Sequence, residues 1–350
     1  MLVTGATGLI GGEIAAHLAE REHQVWALVR AQNDAHAAER LRERFSRSGR
    51  KGLENITPVC GDISKPLCGL GEADLTTLRR ECETIIHAAG ETSFKNAKEC
   101  NEINVRGASE IVQLARTWPK PPRIFFISTA YVCCGPAHAN ISEDAKPTDY
   151  ANGYTLSKRH AEQVMLESGL DVTILRPTIV LSRGLNDRGF ARSILWVIPA
   201  IAQLADVPID ADARLDMVPV DYVAQAVERL VGKGSLRYRC YHISAGPQAS
   251  IKCSEIREVA SRIYPEAVGV RLGGADEEKQ FARRNRRYRA LVRAVTYYLP
   301  FANSDVTYLN DRLAEELGEE MPACPKAAEY LAELTLQIGM EEAFEESRRP

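Results

Sequence analysis

Long apolar runs are missing from this 350-residue sequence. A membrane-crossing helix needs about 18 to 20 consecutive apolar residues, and the longest candidate, 194–205, is shorter and carries Pro199 and Gln203. An excess of one charge sign is missing too. The 44 basic and 47 acidic side chains leave a net charge of −3, which gives no overall pull toward nucleic acid or an anionic membrane. The nine cysteines are odd in number and contain no Cys-x-x-Cys, so they read as reduced thiols of a cytoplasmic protein. The seven histidines form no metal-ligand cluster with them, and we expect no metal. Met1, Leu2 and Val3 run straight into glycine-rich sequence, so no signal peptide is expected. Repeats and low-complexity tracts are also absent. What is present is an ordinary globular balance, 45% hydrophobic and 26% charged, in a chain able to bury one large core or two.

Short β-rich runs occur at 2–3, 24–29, 56–60, 84–87, 123–128 and 171–175, with helical patterns between them at 11–21, 35–47, 75–80, 97–117 and 153–168. Near-continuous apolar strands separated by amphipathic helices specify a parallel sheet covered on both faces. The expected fold is α/β, a doubly wound parallel sheet of Rossmann type, with its ligand crevice outside the carboxyl ends of the strands. Beyond about residue 180 the alternation fails, leaving helical stretches at 190–204, 221–231 and 254–263 and one strand at 238–243. We therefore expect a dinucleotide-binding domain over 1–180 and a smaller, mostly helical substrate lobe over 181–350, with 217–245 returning to the first.

The first turn reads TGATGLIGG, with glycines at 5, 8 and 11. It follows a strand and opens a helix, where glycine lets the backbone approach a pyrophosphate held on unpaired helix N–H groups. The end of the second strand then selects the dinucleotide. An NAD site wants a carboxylate there for the ribose 2′-hydroxyl, but VWALVR ends in Arg30, with Arg40 and Arg42 on the next helix and Asp34 several residues beyond the strand. Arginine pairs a 2′-phosphate in a bidentate way, so NADP(H) is favoured over NAD(H). CGDIS (60–64) follows the third strand and offers Asp62 and Ile63 to the adenine edge; HAAG (87–90) follows the fourth and offers small side chains.

The strand FFISTAYV (125–132) ends in the hydroxyls Ser128 and Thr129, and Tyr154 and Lys158 follow within YTLSK. Tyrosine and lysine four apart on a helix share one face. A hydroxyl, a phenol and an ammonium brought together in such a crevice make a carbonyl-reduction device. The phenol donates a proton to a developing alkoxide, the hydroxyl polarises the same oxygen, and the ammonium favours the ionised phenol.

Through TGATGLIG, GDIS, HAAG, NVRGASEIVQLA (104–115), STAYV, YTLSK and LRPTIV (175–180), the chain resembles the extended short-chain dehydrogenase/reductase superfamily. ALVRA (27–31), GDISKPLCGL (61–70), HAAGETSF (87–94), STAYVCCG (128–135) and MVPVDYVAQAV (217–227) are most similar to its thioester reductase and fatty acyl-CoA reductase branch. The likeness covers residue 2 to about 245 and extends weakly over 297–318. It implies NADPH as hydride donor, Thr129, Tyr154 and Lys158 as the catalytic set, and an acyl substrate carried on coenzyme A or a carrier protein. It also implies cofactor contacts by Gly5, Thr7, Gly8, Leu9, Ile10, Arg30, Arg40, Asp62, Ile63, Ala89 and Lys158, with Pro177, Thr178 and Ile179 near the nicotinamide. One departure is Gly90-Glu91-Thr92, where the branch has a second alanine and then an apolar or small residue. A carboxylate there points to a more polar substrate, unless Glu91 faces solvent.

Two further segments are open to more than one reading. RRNRRYRALVR (283–293) suits the phosphates of coenzyme A or an acidic carrier protein, and equally a solvated helix face. SILWVIPAIAQLA (193–205) is apolar around most of a helix, as core or as the wall of an acyl pocket. The leading function is NADPH-dependent reduction of an acyl thioester to aldehyde or alcohol. The same residues suit an NADP-dependent dehydrogenase, ketoreductase or epimerase, and the fold alone would suit a non-catalytic NADP sensor.

Overall fold

The computed structural model describes residues 1–46, 49–93, 96–133, 139–146, 152–182, 197–204, 206–264, 267, 270–273, 281 and 288–336. Strands and helices alternate through its first half: β1 (Leu2–Thr4), α1 (Leu9–Glu20), β2 (Val25–Val29), α2 (Asp34–Phe45), β3 (Ile56–Cys60), α3 (Glu72–Glu81), β4 (Thr84–His87), α4 (Ala97–Arg116) and β5 (Arg123–Ile127). The short β6 (Asn140–Ile141) precedes α5 (Gly153–Glu167) and β7 (Val172–Pro177). Then come β8 (Ile179–Leu181), α6 (Val197–Ala202), β9 (Asp206–Val207), β10 (Arg214–Leu215), β11 (Met217–Pro219), α7 (Val220–Gly232) and β12 (Cys240–Ile243).

Seven strands form one sheet in the order β12-β7-β5-β4-β1-β2-β3, and every pairing in it is parallel. The chain starts in the middle, winds outward to β3, then crosses back over β1 to build the other half. The switch lies between β1 and β4, where a doubly wound sheet opens its ligand crevice. Within one strand the side chains alternate between two cores. Phe125 and Ile127 of β5 join Ala15, Leu18, Val223 and Val227 of α1 and α7 on one face. Ile124 and Phe126 join Ile111, Leu114, Ala161 and Met165 of α4 and α5 on the other. Burial on both faces is why these strands read as continuous apolar runs instead of alternating ones.

The expected strands and helices of the sheet are present, with no end moved by more than three residues. Of the helical stretch 190–204, residues 190–196 lie outside the described residues, and Val197–Ala202 is helical. The small pairs were not anticipated: β8 with β11, β9 with Arg271–Leu272, β10 with Ile251–Lys252, and β6 with Thr307–Tyr308. Pairings of two or three residues are too short to leave a periodic signal. Among the described residues no helix is long and apolar enough to cross a membrane.

Two glycines hold the layers close. Gly5, between β1 and α1, has φ +74, and a Cβ there would sit 2.7 Å from the Ala89 nitrogen. Gly153 opens α5 against α4, where a Cβ would meet that of Ala97 at 2.1 Å. Gly169 has the same φ as Gly5 but open space around it, which allows backbone strain and crowding to be separated. Gly169→Ala should cost only the left-handed strain, about 1–2 kcal/mol. Gly5→Ala adds overpacking against backbone, for about 2–5 kcal/mol in all. Urea unfolding of the two variants checks this; equal losses would show that the approach of β4 to the turn is not rigid.

Candidate active site

The three crevice residues expected to act together arrive on two elements. Thr129 follows β5 and begins a short turn of helix, where its hydroxyl accepts from the Tyr131 N–H at 3.3 Å. Tyr154 and Lys158 lie in the first turns of α5, whose start is fixed by a capping box: Asn152 accepts from the Thr155 N–H at 3.0 Å, and Thr155 returns a bond to the Asn152 backbone. That cap sets where the helix begins, and so where Tyr154 stands. The Tyr154 hydroxyl is hydrogen-bonded to the Thr129 side chain, and both line a single cavity of about 460 Å³.

Lys158 lies beneath them, buried, with its Nζ donating to the Ile127 carbonyl at 2.7 Å and 4.5 Å from the centre of the Phe126 ring. The expected lowering of the phenol by this ammonium is absent. Burial, opposed by the Thr129 hydrogen bond, holds the Tyr154 phenol above its ordinary range. Burial also brings the Lys158 ammonium down to about 8, against the pull of Glu162. Both groups therefore lean toward their neutral forms, as low-dielectric surroundings demand.

Gly5, Gly8, Leu9 and Ile10 of the glycine turn line the cavity, whereas Thr7 is not part of its lining. The α1 cap, Gly8, is extended and offers no side-chain acceptor to the first turn, which leaves N–H groups directed at the cavity end. Ala88 and Gly90 line the wall; Ala89 between them donates its N–H to Thr4 Oγ1 at 3.1 Å, and that hydroxyl shares a 2.7 Å bond with His87. Burial, then the Lys158 charge, takes His87 down to about 3, so it is neutral and structural. Pro177, Thr178 and Ile179 form another side of the cavity.

Arg30 is exposed beyond β2, and the Arg40 guanidinium folds back to donate to the Arg30 carbonyl. Asp62 accepts from the Ser64 N–H and hydroxyl at 2.9 and 2.7 Å. Burial alone would raise its carboxyl, but these bonds together with the Arg30 and Lys65 charges hold it below the usual carboxylate range. Ile63 is buried against Gly107. These four residues gather beyond the carboxyl ends of β2 and β3 and are not part of the cavity lining.

Sequence reasoning gave no role to Asn104, Arg44 or Ser128. Asn104, buried on α4, donates to the Glu91 carbonyl and to Ser157 Oγ, both at 2.9 Å, and accepts from the Glu91 N–H at 2.8 Å. It ties the β4 loop to α5 beside Lys158; a single amide on a buried helix face was the only hint. Arg44 of α2 is buried and reaches the Gly8 carbonyl at 3.3 Å. The Ser128 hydroxyl lines the cavity and has no hydrogen-bond partner. Glu91 accepts from the Thr92 and Ser93 N–H groups, each at 3.0 Å, and Gly90 and Thr92 line the cavity in its place.

Beyond Tyr154 the cavity turns apolar. Val197, Ile198, Ile201 and Ala202 of α6 line it, so the apolar run at 193–205 serves as core and as pocket wall, with 193–196 and 205 outside the described residues. Residues 283–287 of the arginine-rich segment also lie outside them, while 289–293 belong to the helix Arg289–Thr296, whose Val295 faces the cavity. Among the described residues no His/Cys/Asp/Glu group suits a metal.

The fit to a dinucleotide rests on these features: a glycine turn lining the cavity, an uncapped helix start, and a cavity continuing to the Thr129–Tyr154 pair. Comparison with known proteins agrees. The model of the male sterility protein family, an NAD-binding family, matches residues 3–227. The chain is 27% identical over 265 residues to the nonribosomal peptide synthetase asaC of Aspergillus flavus, covering 69% of this chain and 26% of the synthetase. It is 24% identical over 348 residues to the probable fatty acyl-CoA reductase 5 of Arabidopsis thaliana, covering 75% of this chain and 70% of that one. The crystal structure of the terminal R domain from the myxalamid PKS-NRPS biosynthetic pathway superposes with a TM-score of 0.79 at 25% identity, covering 96% of this chain and 88% of that domain. The chain thus spans about a quarter of the synthetase and most of the solved R domain.

The low value of Lys158 has a measurable consequence. Its folded-state value, about 8, lies below the ordinary lysine value of about 10.4. Between these limits the unfolded chain binds more protons than the native one, so this group's contribution to stability rises with pH. Measured against Lys158→Met, the wild-type protein should gain on the order of 1–2 kcal/mol between about pH 7.5 and 9.5 in urea unfolding. A pH-independent difference would contradict the depressed value.

Proposed function

The chain belongs to the male sterility protein family, in the thioester reductase branch of the extended short-chain dehydrogenase/reductases, and from that premise we propose that it uses NADPH to reduce an acyl thioester borne on coenzyme A or a carrier protein. The observation that carries this reading is the single cavity running from the glycine turn past Thr129 and Tyr154 into an apolar arm. A carbonyl held at the hydroxyl pair leaves room for an acyl chain beyond it.

Gly5, Gly8, Leu9 and Ile10 would hold the dinucleotide phosphates; Asp62 and Ile63 the adenine side; Ala89, Lys158, Pro177, Thr178 and Ile179 the nicotinamide half. When bound, the reduced nicotinamide supplies the hydride. Thr129 and Tyr154 donate hydrogen bonds to the carbonyl oxygen and stabilise it as it becomes an oxyanion. Tyr154, whose phenol keeps its proton in the free protein, delivers that proton where an alcohol is formed. The thiolate of a thioester departs without needing a strong acid, so the same equipment releases an aldehyde. Lys158 stands below, where an anionic neighbour would raise its lowered value and hold the ammonium charged.

The test incubates protein, NADPH and acyl-CoA and follows free thiol together with loss of NADPH. Thiol release in step with oxidation is expected. NADPH oxidation with ketones, or NADP⁺ reduction with alcohols, and neither reaction with thioesters, would assign the second reading: a ketoreductase or dehydrogenase of the same superfamily. Tyr154→Phe should lower kcat by about two to four powers of ten while leaving the NADPH Kd nearly unchanged.

The preference for NADPH rests on Arg30 and Arg40 beyond β2. A charge-assisted bond to the 2′-phosphate is worth about 1.5–3 kcal/mol. Arg30→Ala should therefore weaken NADPH binding by roughly ten- to a hundredfold and leave NADH binding alone. Equal affinities of the wild-type protein for the two cofactors would refute the assignment.

A further inference from the structure

One guanidinium on the cavity wall takes no part in the chemistry above. Arg257 lies on the helix Cys253–Ile263, is half-buried, and lines the cavity together with Ile256 and Ala260 of the same helix. Those neighbours belong to an apolar cluster with Ile198, Ala202 and Leu331. Among the described residues no aspartate, glutamate or second cation lines this cavity. Arg257 itself has no hydrogen-bond or ion-pair partner among the described residues. Elsewhere in the molecule a buried arginine is paired: Arg176 makes two bonds to Glu162, at 2.9 and 2.7 Å.

An arginine stem can lie along apolar surface while its head reaches water, but a head that shares a cavity with the reacting groups also meets what enters it. Guanidinium is the side chain best matched to carboxylate and phosphate, through two parallel N–H donors. Among the described residues the lining holds no acid and is largely apolar, so a counter-ion for Arg257 is to be sought on the ligand. We propose that Arg257 is a substrate-binding residue that pairs with an oxyanion on the molecule whose carbonyl sits at Thr129 and Tyr154, selecting anionic over neutral substrates. If the thioester reading holds, on which only the source of this oxyanion depends, two groups supply it: the phosphate of the phosphopantetheine arm, or a carboxylate at the far end of the acyl chain.

Equilibrium binding to the full chain saturated with NADP⁺ separates these without turnover. The probes are 4′-phosphopantetheine against pantetheine, and an ω-carboxy decanamide against decanamide, each titrated by calorimetry. In the wild-type protein one charged probe should bind roughly ten- to a hundredfold more tightly than its neutral partner. Arg257→Gln should abolish that preference, and Arg257→Lys, a point charge without the fork, should keep part of it. A preference for phosphopantetheine identifies the arm, and one for the ω-carboxy probe identifies the acyl tail. No preference in the wild-type protein, or one that survives in Arg257→Gln with unchanged NADPH affinity and circular dichroism, overturns the proposal. A preference lost in Arg257→Gln, combined with no thiol release from any thioester, supports the anion site and overturns the thioester reading instead.

Discussion

The paired bonds between Glu162 and Arg176 set the depth of α5 on the sheet, and the candidate site inherits its geometry from them. Both partners are buried, with Arg176 also donating to Cys133 Sγ and the Glu143 carbonyl, each at 3.2 Å. A buried ion pair of this kind is weak evidence for net stability, because desolvation offsets much of the attraction. Its contribution here is one of position. Removing Glu162 strands the Arg176 charge under cover, whereas Glu162 without Arg176 would keep only the weaker pairing with Arg159 at 3.3 Å, so rolling α5 away from β7 is costly. One turn earlier Lys158 is bonded to the Ile127 carbonyl, and beside it Ser157 accepts from Asn104. Three consecutive anchors, to β7, β5 and α4, therefore define where Tyr154 projects.

Those anchors also explain the proton inventory. Tyr154, Lys158 and His87 all sit where burial disfavours their charged forms. A buried site of this kind gains interaction strength when negative charge enters, because each donor then acts in a low dielectric. The sequence argument had the ammonium assisting the phenol directly. In the free protein the ammonium donates to the Ile127 main-chain carbonyl, and burial dominates the phenol.

Legibility from sequence followed the length and regularity of each signal. The seven-strand sheet was readable because parallel strands buried on both faces leave unbroken apolar runs such as IFFI and VTIL, and the helices between them leave a 3.6 period. The glycine turn and the Thr129–Tyr154 pair were readable because close backbone approach and proton transfer admit few residue types. Asn104 was not, since one amide on a helix looks the same whether it binds a loop or water. Glu91 illustrates the opposite case: its carboxylate is conspicuous in sequence, yet it satisfies the N–H groups of its own turn. The two-residue strands were unreadable for a simpler reason, as their partners lie up to 167 residues away.

The cavity crosses this boundary of legibility. Its polar end is built from turns that follow strands of the sheet, where sequence motifs are short and local. Its apolar end is assembled from α6, the helix Cys253–Ile263 and segments near Tyr298 and Leu331, contributed by stretches with no common motif. Hydrophobic residues at such positions satisfy core and pocket alike, so pattern alone gives no reason to call one a wall. A charged residue among them is different. It would be excluded from a pure core by its desolvation cost, and it therefore reports that the space beside it is meant to be filled by something other than protein. Where apolar lining leaves the substrate open to any chain of suitable length, the proposed pairing of Arg257 with an oxyanion would narrow the choice by charge.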